Sequence, residues 1–382
     1  MDITLNETQS LVQETARKFA GADLRPQAAS RDESAEFPLE SLAKMAGLGL
    51  MGVNIGGEYG GAEAGVVAYS LAVIEIAQGD PAVAVTMAVN NMVSEVIQQF
   101  GTSAQRERYI PRLTGGEYSS GSFCLSEPGS GSDAASMRTR AEKTSDGWSL
   151  SGAKAWVTSG AYAGVLLVWA KTRNTAGLDE ISLFCVDPKA DGVAIGKPEK
   201  KMGQHASNTV SIAFDKVELS DDALLGEPGQ GFKIAMMALD GGRIGIASQA
   251  IGIGLEAFNQ ARAYAVERRQ FGKRIADFQA IQFKLADIAT ELEAARLLTM
   301  RAAWLKEQAS RPFSREASMA KLYASEAACR ACDQAIQILG GYGYTREYPV
   351  EKLFRDVRVT RIYEGTNEIQ RIVIARDLIR QS

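Results

Sequence analysis

With 382 residues, 46% of them hydrophobic and 23% charged, the chain exceeds one ordinary core and has the balance of a soluble protein of two or three domains. A net charge of −4 excludes nucleic acid as the main partner, because phosphate binding needs a basic surface. Every apolar stretch stops short of the roughly 20 residues of a membrane span. The start, Met1 through Glu7, has neither a basic n-region nor an Arg-rich transit pattern, so the expected compartment is the cytoplasm, with no membrane partner.

Residues 1–117 read as a helical domain. Stretches 8–20, 38–48, 66–78 and 82–100 carry apolar residues three and four apart, and a Gly-rich run over 47–65 interrupts them. Residues 75–100 are almost continuously apolar apart from Gly79-Asp80-Pro81, which predicts helices buried on most sides. Residues 118–226 change character, with short β-branched and aromatic runs at 148–150, 155–157, 165–170, 181–186 and 210–217. Asp146-Gly147 and Asp191-Gly192 supply turns, and an antiparallel β domain is expected. The third domain, 227–382, returns to helix from Gly231. Ile281, Leu285, Ile288, Leu292, Ala295 and Thr299 form the seam of a bundle helix. Ala317, Ala320, Ala324, Ala327, Ala331 and Ala335 form a small-residue stripe that lets helices approach closely. The fold class is multidomain α+β: N-terminal all-α, middle β, C-terminal helical bundle.

Residue counts narrow the chemistry. His205 is the single histidine, so a Ser-His-Asp, Cys-His or multi-His metal mechanism would have to rest on it. Its sequence neighbours, Lys201-Met202-Gly203-Gln204, offer no acid or nucleophile. Cys329 and Cys332 lie in an Ala-rich helical stretch with no second pair, which makes a poor zinc site. No metal is expected, and acid–base work falls to carboxylates.

Five segments carry possible chemistry, each with a plainer reading beside it. In Cys124-Leu125-Ser126-Glu127-Pro128-Gly129-Ser130-Gly131-Ser132-Asp133, Gly and Ser expose N–H and hydroxyl groups to an anion or a polar ring; alone it is equally a flexible loop. In Lys154-Ala155-Trp156-Val157-Thr158, Trp156 either walls an aromatic cofactor or packs in a β core. Leu239-Asp240-Gly241-Gly242-Arg243 opens a long helix, and an Arg in the first turn opposes the helix dipole, inviting a ligand or an interhelical salt bridge. In Glu267-Arg268-Arg269-Gln270-Phe271-Gly272, the guanidinium groups suit pyrophosphate or simply an exposed helix end. In Ile362-Tyr363-Glu364-Gly365-Thr366-Asn367-Glu368-Ile369-Gln370, a loop leads into a helix with Asn367 and Gln370 as a capping box. By local chemistry Glu364 is no more than a loop carboxylate.

Taken together and in this order, residues 125–133, 268–272, Gln337-Ile338-Leu339-Gly340-Gly341 and 362–366 resemble the acyl-CoA dehydrogenase family along essentially the whole chain. Residues 240–248 are similar to its short-chain and short-branched-chain members. The resemblance implies a C-terminal four-helix bundle, a homotetramer, and FAD held between the β domain and the bundle. It implies flavin contacts from Phe123, Leu125, Ser126, Gly131, Ser132, Trp156, Val157 and Thr158, and from Thr366, Asn367 and Glu368. Arg268, Phe271, Gln279 and residues Gln337 to Gly341 match positions that reach a flavin bound mainly by a neighbouring subunit. Ser132, Asp240, Gly241, Gly242, Arg243 and Gly365 match positions lining the acyl-CoA site. Glu364 matches the catalytic base. Isovaleryl-type members carry that base at the position matching Gly242, where glycine cannot serve. The implied partners are an acyl-CoA substrate and an electron-transfer flavoprotein. Two other readings are an acyl-CoA oxidase of the same fold, told apart by oxygen consumption, and a non-catalytic helical scaffold, which would not take up FAD.

Overall fold

The computed structural model describes residues 4–309 and 311–380, so Met1 to Ile3 of the start read above lie outside the described residues. Helix α1 (Glu7–Phe19) opens on a capping box in which the Asn6 side chain accepts from the Gln9 N–H at 2.8 Å and the Gln9 side chain accepts from the Asn6 N–H at 3.1 Å. Then follow α2 (Ala28–Ser34), α3 (Leu39–Gly47), α4 (Gly65–Gly79), α5 (Pro81–Phe100) and α6 (Ser103–Thr114). Gly79-Asp80-Pro81 is the corner between α4 and α5. Pro81 takes the first helical position, and the Asp80 side chain caps the Ala82 N–H at 3.0 Å while holding Arg31 at 2.9 Å.

The middle strands are β1 (Ser120–Cys124), β2 (Arg140–Lys143), β3 (Trp148–Thr158), β4 (Ala163–Arg173), β5 (Asp179–Val186), β6 (Val193–Ile195), β7 (Thr209–Leu219) and β8 (Leu224–Leu225). They form one sheet in the order β6-β7-β3-β2-β4-β5-β8, with β1 paired to β4. Pairing is antiparallel except that β1 and β2 run parallel to β4. The β3–β7 ladder breaks register between Lys154 and Val157.

The last third holds α7 (Gly231–Glu267), a hairpin of β9 (Arg269–Gln270) and β10 (Lys273–Arg274), α8 (Gln279–Gln308), α9 (Ser314–Leu339), α10 (Val350–Val357) and α11 (Asn367–Arg380). Helices α7, α8 and α9 pack on one another, and α11 lies along α9. The alanine stripe of α9 is buried throughout, and a Cβ on Gly254 of α7 would stand 3.3 Å from the Ala328 Cα, so these two backbones nearly touch. Because α7 begins at Gly231, Arg243 sits more than three turns inside it and not in its first turn. The dipole argument therefore fails for Arg243; what compensates its charge is Asp240, at 2.5 Å.

One apolar core joins α1 and α4 to the bundle, and a second joins α5, one face of the sheet and the start of α7. Helices α5 and α7 border both, so their contact is where the three domains converge. No helix among the described residues is long and apolar enough to cross a membrane.

Candidate active site

At that convergence lies the loop from α10 to α11. Glu364 adopts φ +54 and Gly365 φ +85, a left-handed pair that costs a non-glycine residue on the order of 1–3 kcal/mol. Three bonds hold it. Lys321 Nζ, from α9, donates to the Gly365 carbonyl at 2.8 Å, and Gln370 Nε2 donates to the carbonyls of Gly365 at 2.8 Å and Glu364 at 3.1 Å. Tyr363 is anchored on the other side, its hydroxyl donating to Gln249 and accepting from Gln204 Nε2 at 3.3 Å.

The bent backbone aims the Glu364 carboxylate at the face of α7. A Cβ on Gly242 would come within 2.5 Å of Oε2 and 3.1 Å of Met92 Sδ, so only the absent side chain leaves room for the carboxylate. Oε2 is fully enclosed with no hydrogen-bond partner among the described residues. Burial pushes the carboxyl up to about 7, against the opposing pull of Arg243 and Lys321. The Glu364 N–H donates to no described residue. A base and a free donor therefore stand on one residue.

Lys321 escaped the reading of the sequence, although a signal was present: it falls four residues after Ala317 and three before Ala324, on the buried stripe itself. It is 0% exposed, and burial drives its ammonium down to about 7, with Glu364 resisting. Its second acceptor is Asn367 Oδ1, at 3.0 Å. That pairing turns Asn367 inward, where it also bonds Ser325 and Glu326, leaving only its backbone for any ligand. The capping box expected from Asn367 is replaced by Thr366, whose Oγ1 accepts from the Ile369 N–H at 3.4 Å. Gln370 is spent on the Glu364 loop instead.

Arg243 bonds Asp240 and Ser318, and its Nε is buried without a partner. Gly241 faces the Lys306–Glu95 ion pair. His205 finds the acid missing from its sequence neighbourhood in Asp32, at 3.1 Å, with its other ring nitrogen 2.9 Å from the Lys201 carbonyl. It ties the β domain to the N-terminal helices.

The β-domain segments fall on one edge. At the break in β3, Trp156 takes φ +61 and stands 64% exposed, a bulge that re-aims a large ring outward. Buried Lys154 bonds Glu127 at 2.9 Å and the Leu125 carbonyl at 3.1 Å, and the Ala155 N–H reaches the Ser126 carbonyl at 2.9 Å. The glycine loop is thus stitched to the strand that shows Trp156. Gly131 and Ser132 are exposed, and Gly131 has open space where a Cβ would point. The side chains of Leu125 and Val157 are buried, and Phe123 packs on Trp169 at 4.1 Å. Leu125 and Val157 therefore border the edge with their backbones, whereas Phe123 and Thr158, whose carbonyl holds Ser122, are part-exposed. Beside Glu364, Glu368 is exposed and Thr366 half-buried.

The remaining residues lie elsewhere. Arg268, Leu339, Gly340, Gly341 and Tyr342 line a groove of about 470 Å³ at the far end of the bundle. Gln337 is exposed beside it, whereas Ile338 contributes backbone, its side chain being buried. Arg268 makes no ion pair among the described residues and lies over the Tyr342 ring at 5.6 Å. Phe271 and Gly272, both at positive φ, close a two-residue hairpin turn that projects Phe271 at 92% exposure. Gln279 opens α8 nearby. From Gly242 to Arg268 along α7 is 26 residues, roughly 39 Å at the helical rise.

These features fit FAD. A displayed indole suits a flat ring system, bare glycine N–H groups suit phosphate, and an unpaired guanidinium above Gly340 and Gly341 suits a pyrophosphate.

Comparison with known proteins agrees. Family models described as acyl-CoA dehydrogenase N-terminal, middle and C-terminal domains match residues 6–117, 122–217 and 229–379. The chain is 47% identical to the mitochondrial short-chain specific acyl-CoA dehydrogenase of Bos taurus, over 99% of this chain and 92% of that one. It superposes on butyryl-CoA dehydrogenase from Megasphaera elsdenii with a TM-score of 0.96 and 41% identity, covering 99% and 100% of the two chains. It superposes on an acyl-CoA dehydrogenase complexed with FAD from Bacillus anthracis with a TM-score of 0.93 and 31% identity, covering 99% and 67%. The chain belongs to the acyl-CoA dehydrogenase family of FAD-dependent oxidoreductases.

Proposed function

We propose that this enzyme dehydrogenates short-chain acyl-CoA thioesters, straight or branched, to trans-2-enoyl-CoA, with Glu364 abstracting the α-proton. The observation that carries the reading is the Glu364 carboxylate itself, its Oε2 enclosed, without a hydrogen bond among the described residues, and seated over Gly242. Bound FAD supplies the acceptor for the β-hydrogen, which leaves as hydride. The protein's part is to bring base and substrate together and to hold the proton. A carboxylate near its ordinary value of about 4.3 is a poor base for a thioester α-proton, and desolvation lifts Glu364 toward the working pH. Its unpaired N–H is positioned to donate to the thioester oxygen, which carries the developing charge and acidifies the α-carbon. Glycine at 242 leaves room on α7 for the carboxylate that faces the acyl group, and the surface around Ser132 and Gly365 admits the thioester. A panel of butyryl-, isobutyryl-, 2-methylbutyryl- and palmitoyl-CoA with an artificial electron acceptor tests the reading. Highest kcat/KM falls on a four- or five-carbon chain; highest kcat/KM on palmitoyl-CoA overturns it.

The base sets a pH dependence. Glu364 works only when deprotonated, so kcat/KM for flavin reduction rises with pH through a limb near 7 and falls below it. Lys321 favours the charged carboxylate, so Lys321→Met moves that limb to higher pH. A limb that stays in place removes Lys321 from the electrostatics of the base.

The distance along α7 supports an oligomer. The Arg268 groove lies about 39 Å along α7 from Gly242, where the Glu364 carboxylate sits, so the groove serves the cofactor of a second copy, in a homotetramer. Arg268→Ala then weakens FAD retention by about 1.5–3 kcal/mol, the worth of a hydrogen bond to a charged group. Unchanged FAD affinity by equilibrium dialysis excludes Arg268 from the site. On the family resemblance, electron-transfer flavoprotein takes the electrons onward.

A further inference from the structure

Helix α4 contributes to this site a residue that none of the chemistry above uses. Tyr69 is 6% exposed, and its hydroxyl makes no hydrogen bond with any described residue. Tyrosine hydroxyls in protein interiors normally find a partner. Unlike Glu364 Oε2, this oxygen is not wholly enclosed, so it faces open space. Where it points is given by Gly245: a Cβ there would meet the Tyr69 Oη at 2.5 Å and the Ala88 Cβ at 3.6 Å. Gly245 lies one turn beyond Gly242 on the same face of α7, about 4.5 Å along the axis, and Ala88 lies one turn from Met92 on α5. The pair Gly242 and Met92 frames the Glu364 carboxylate, and the pair Gly245 and Ala88 frames the Tyr69 hydroxyl. The backbone that carries the ring is held to α7, because the chain neighbour Ser70 is bonded to Ser248 of α7 at 2.5 Å, both fully buried. Burial, reinforced by Glu95 and Glu364, raises the phenol far above its ordinary value, so it stays a neutral hydroxyl at any working pH.

We propose that the Tyr69 hydroxyl is the end wall of the acyl channel and sets how many carbons fit beyond the thioester. This rests on the reading that the acyl α-carbon lies against Glu364. The chain beyond that carbon runs between α5 and α7 and meets Tyr69 after about one helical turn, which is room for a butyryl tail and little more. A longer chain must displace a buried ring and cover a hydroxyl that has no partner among the described residues.

The test is the ratio of kcat/KM for hexanoyl-CoA over butyryl-CoA, with octanoyl-CoA beside it, on FAD-loaded wild type, Tyr69→Phe and Tyr69→Ala. A methylene in a pocket is worth about tenfold or more. The hexanoyl-to-butyryl ratio therefore rises about tenfold in Tyr69→Ala, with octanoyl-CoA becoming a substrate, and rises by a smaller step in Tyr69→Phe, which removes one atom from the wall. Should Tyr69→Ala fail to retain FAD, the near-isosteric Phe variant decides alone, a raised ratio supporting the proposal and an unchanged ratio overturning it. A wild type that itself peaks at octanoyl-CoA or longer overturns the short-chain reading and the wall together. A wild type that peaks at butyryl-CoA, with variants that keep its profile, overturns the wall alone.

Discussion

Glu364→Gln will keep the fold, the FAD and acyl-CoA binding, and will lose flavin reduction by substrate by a factor of about 10²–10⁴, the usual worth of a positioned base. Retention of the fold follows from the contacts. The Glu364 side chain accepts no hydrogen bond from a described residue, so the amide forfeits none. The strained backbone is held by Lys321 and Gln370 through carbonyl oxygens that the substitution leaves in place. What the amide lacks is basicity. Glu364→Asp falls between the two, since one methylene fewer withdraws the carboxylate by about an ångström, and misplacement of that order costs about a hundredfold. The measurement is anaerobic stopped-flow reduction of the flavin by butyryl-CoA, beside equilibrium binding of the same ligand. Bleaching at close to the wild-type rate makes another group the base. Loss of FAD or of the fold makes Glu364 structural.

The parts of this site legible from residue order are those in which a single element carries the signal. Apolar spacing gave α4 and α5 close to their observed ends and placed seam and stripe residues inside α8 and α9, and Gly79-Asp80-Pro81 marked the corner that it turns out to cap. Glu364 was legible only through the company of distant motifs, since its own loop chemistry is bland. What distinguishes it is contact with α7, 122 positions away in the chain. Lys321, Tyr69 and the Asp32–His205 pair were missed for the same reason: each acquires its meaning from a neighbour on an element distant in the chain. Asn367 shows the converse. Its position beside a helix start suggested a cap or a cofactor contact, but the buried Lys321 ammonium needs an acceptor, and that demand outweighs a local preference worth about 1 kcal/mol. The misplaced start of α7 has a similar origin. Gly241-Gly242 looks like a boundary because glycine disfavours helix, yet here it lies inside one, where the Glu364 carboxylate occupies the space that a side chain at 242 would fill.

That exchange of propensity for space makes Gly242→Ala the sharpest remaining test, because it pulls stability and activity in opposite directions. Ala in place of Gly inside a helix stabilises by roughly 0.5–1 kcal/mol. The atoms that the new Cβ meets, Glu364 Oε2 at 2.5 Å and Met92 Sδ at 3.1 Å, are side-chain ends able to move. The fold therefore tolerates the substitution, and thermal unfolding of the variant shows stability at or above wild type. The carboxylate, however, must retreat to clear a contact that close, and about an ångström of retreat costs about a hundredfold in rate. Flavin reduction by butyryl-CoA accordingly drops about a hundredfold while FAD content is unchanged. Gly47→Ala is the control: it is also helical, and its added Cβ meets nothing within 4 Å, so it gains the same propensity with no effect on turnover. If Gly242→Ala reduces its flavin as fast as the control, the carboxylate does not work from its place over α7, and the geometry assigned to the base is wrong. If it unfolds, the space over Gly242 is needed for packing and not for the position of Glu364.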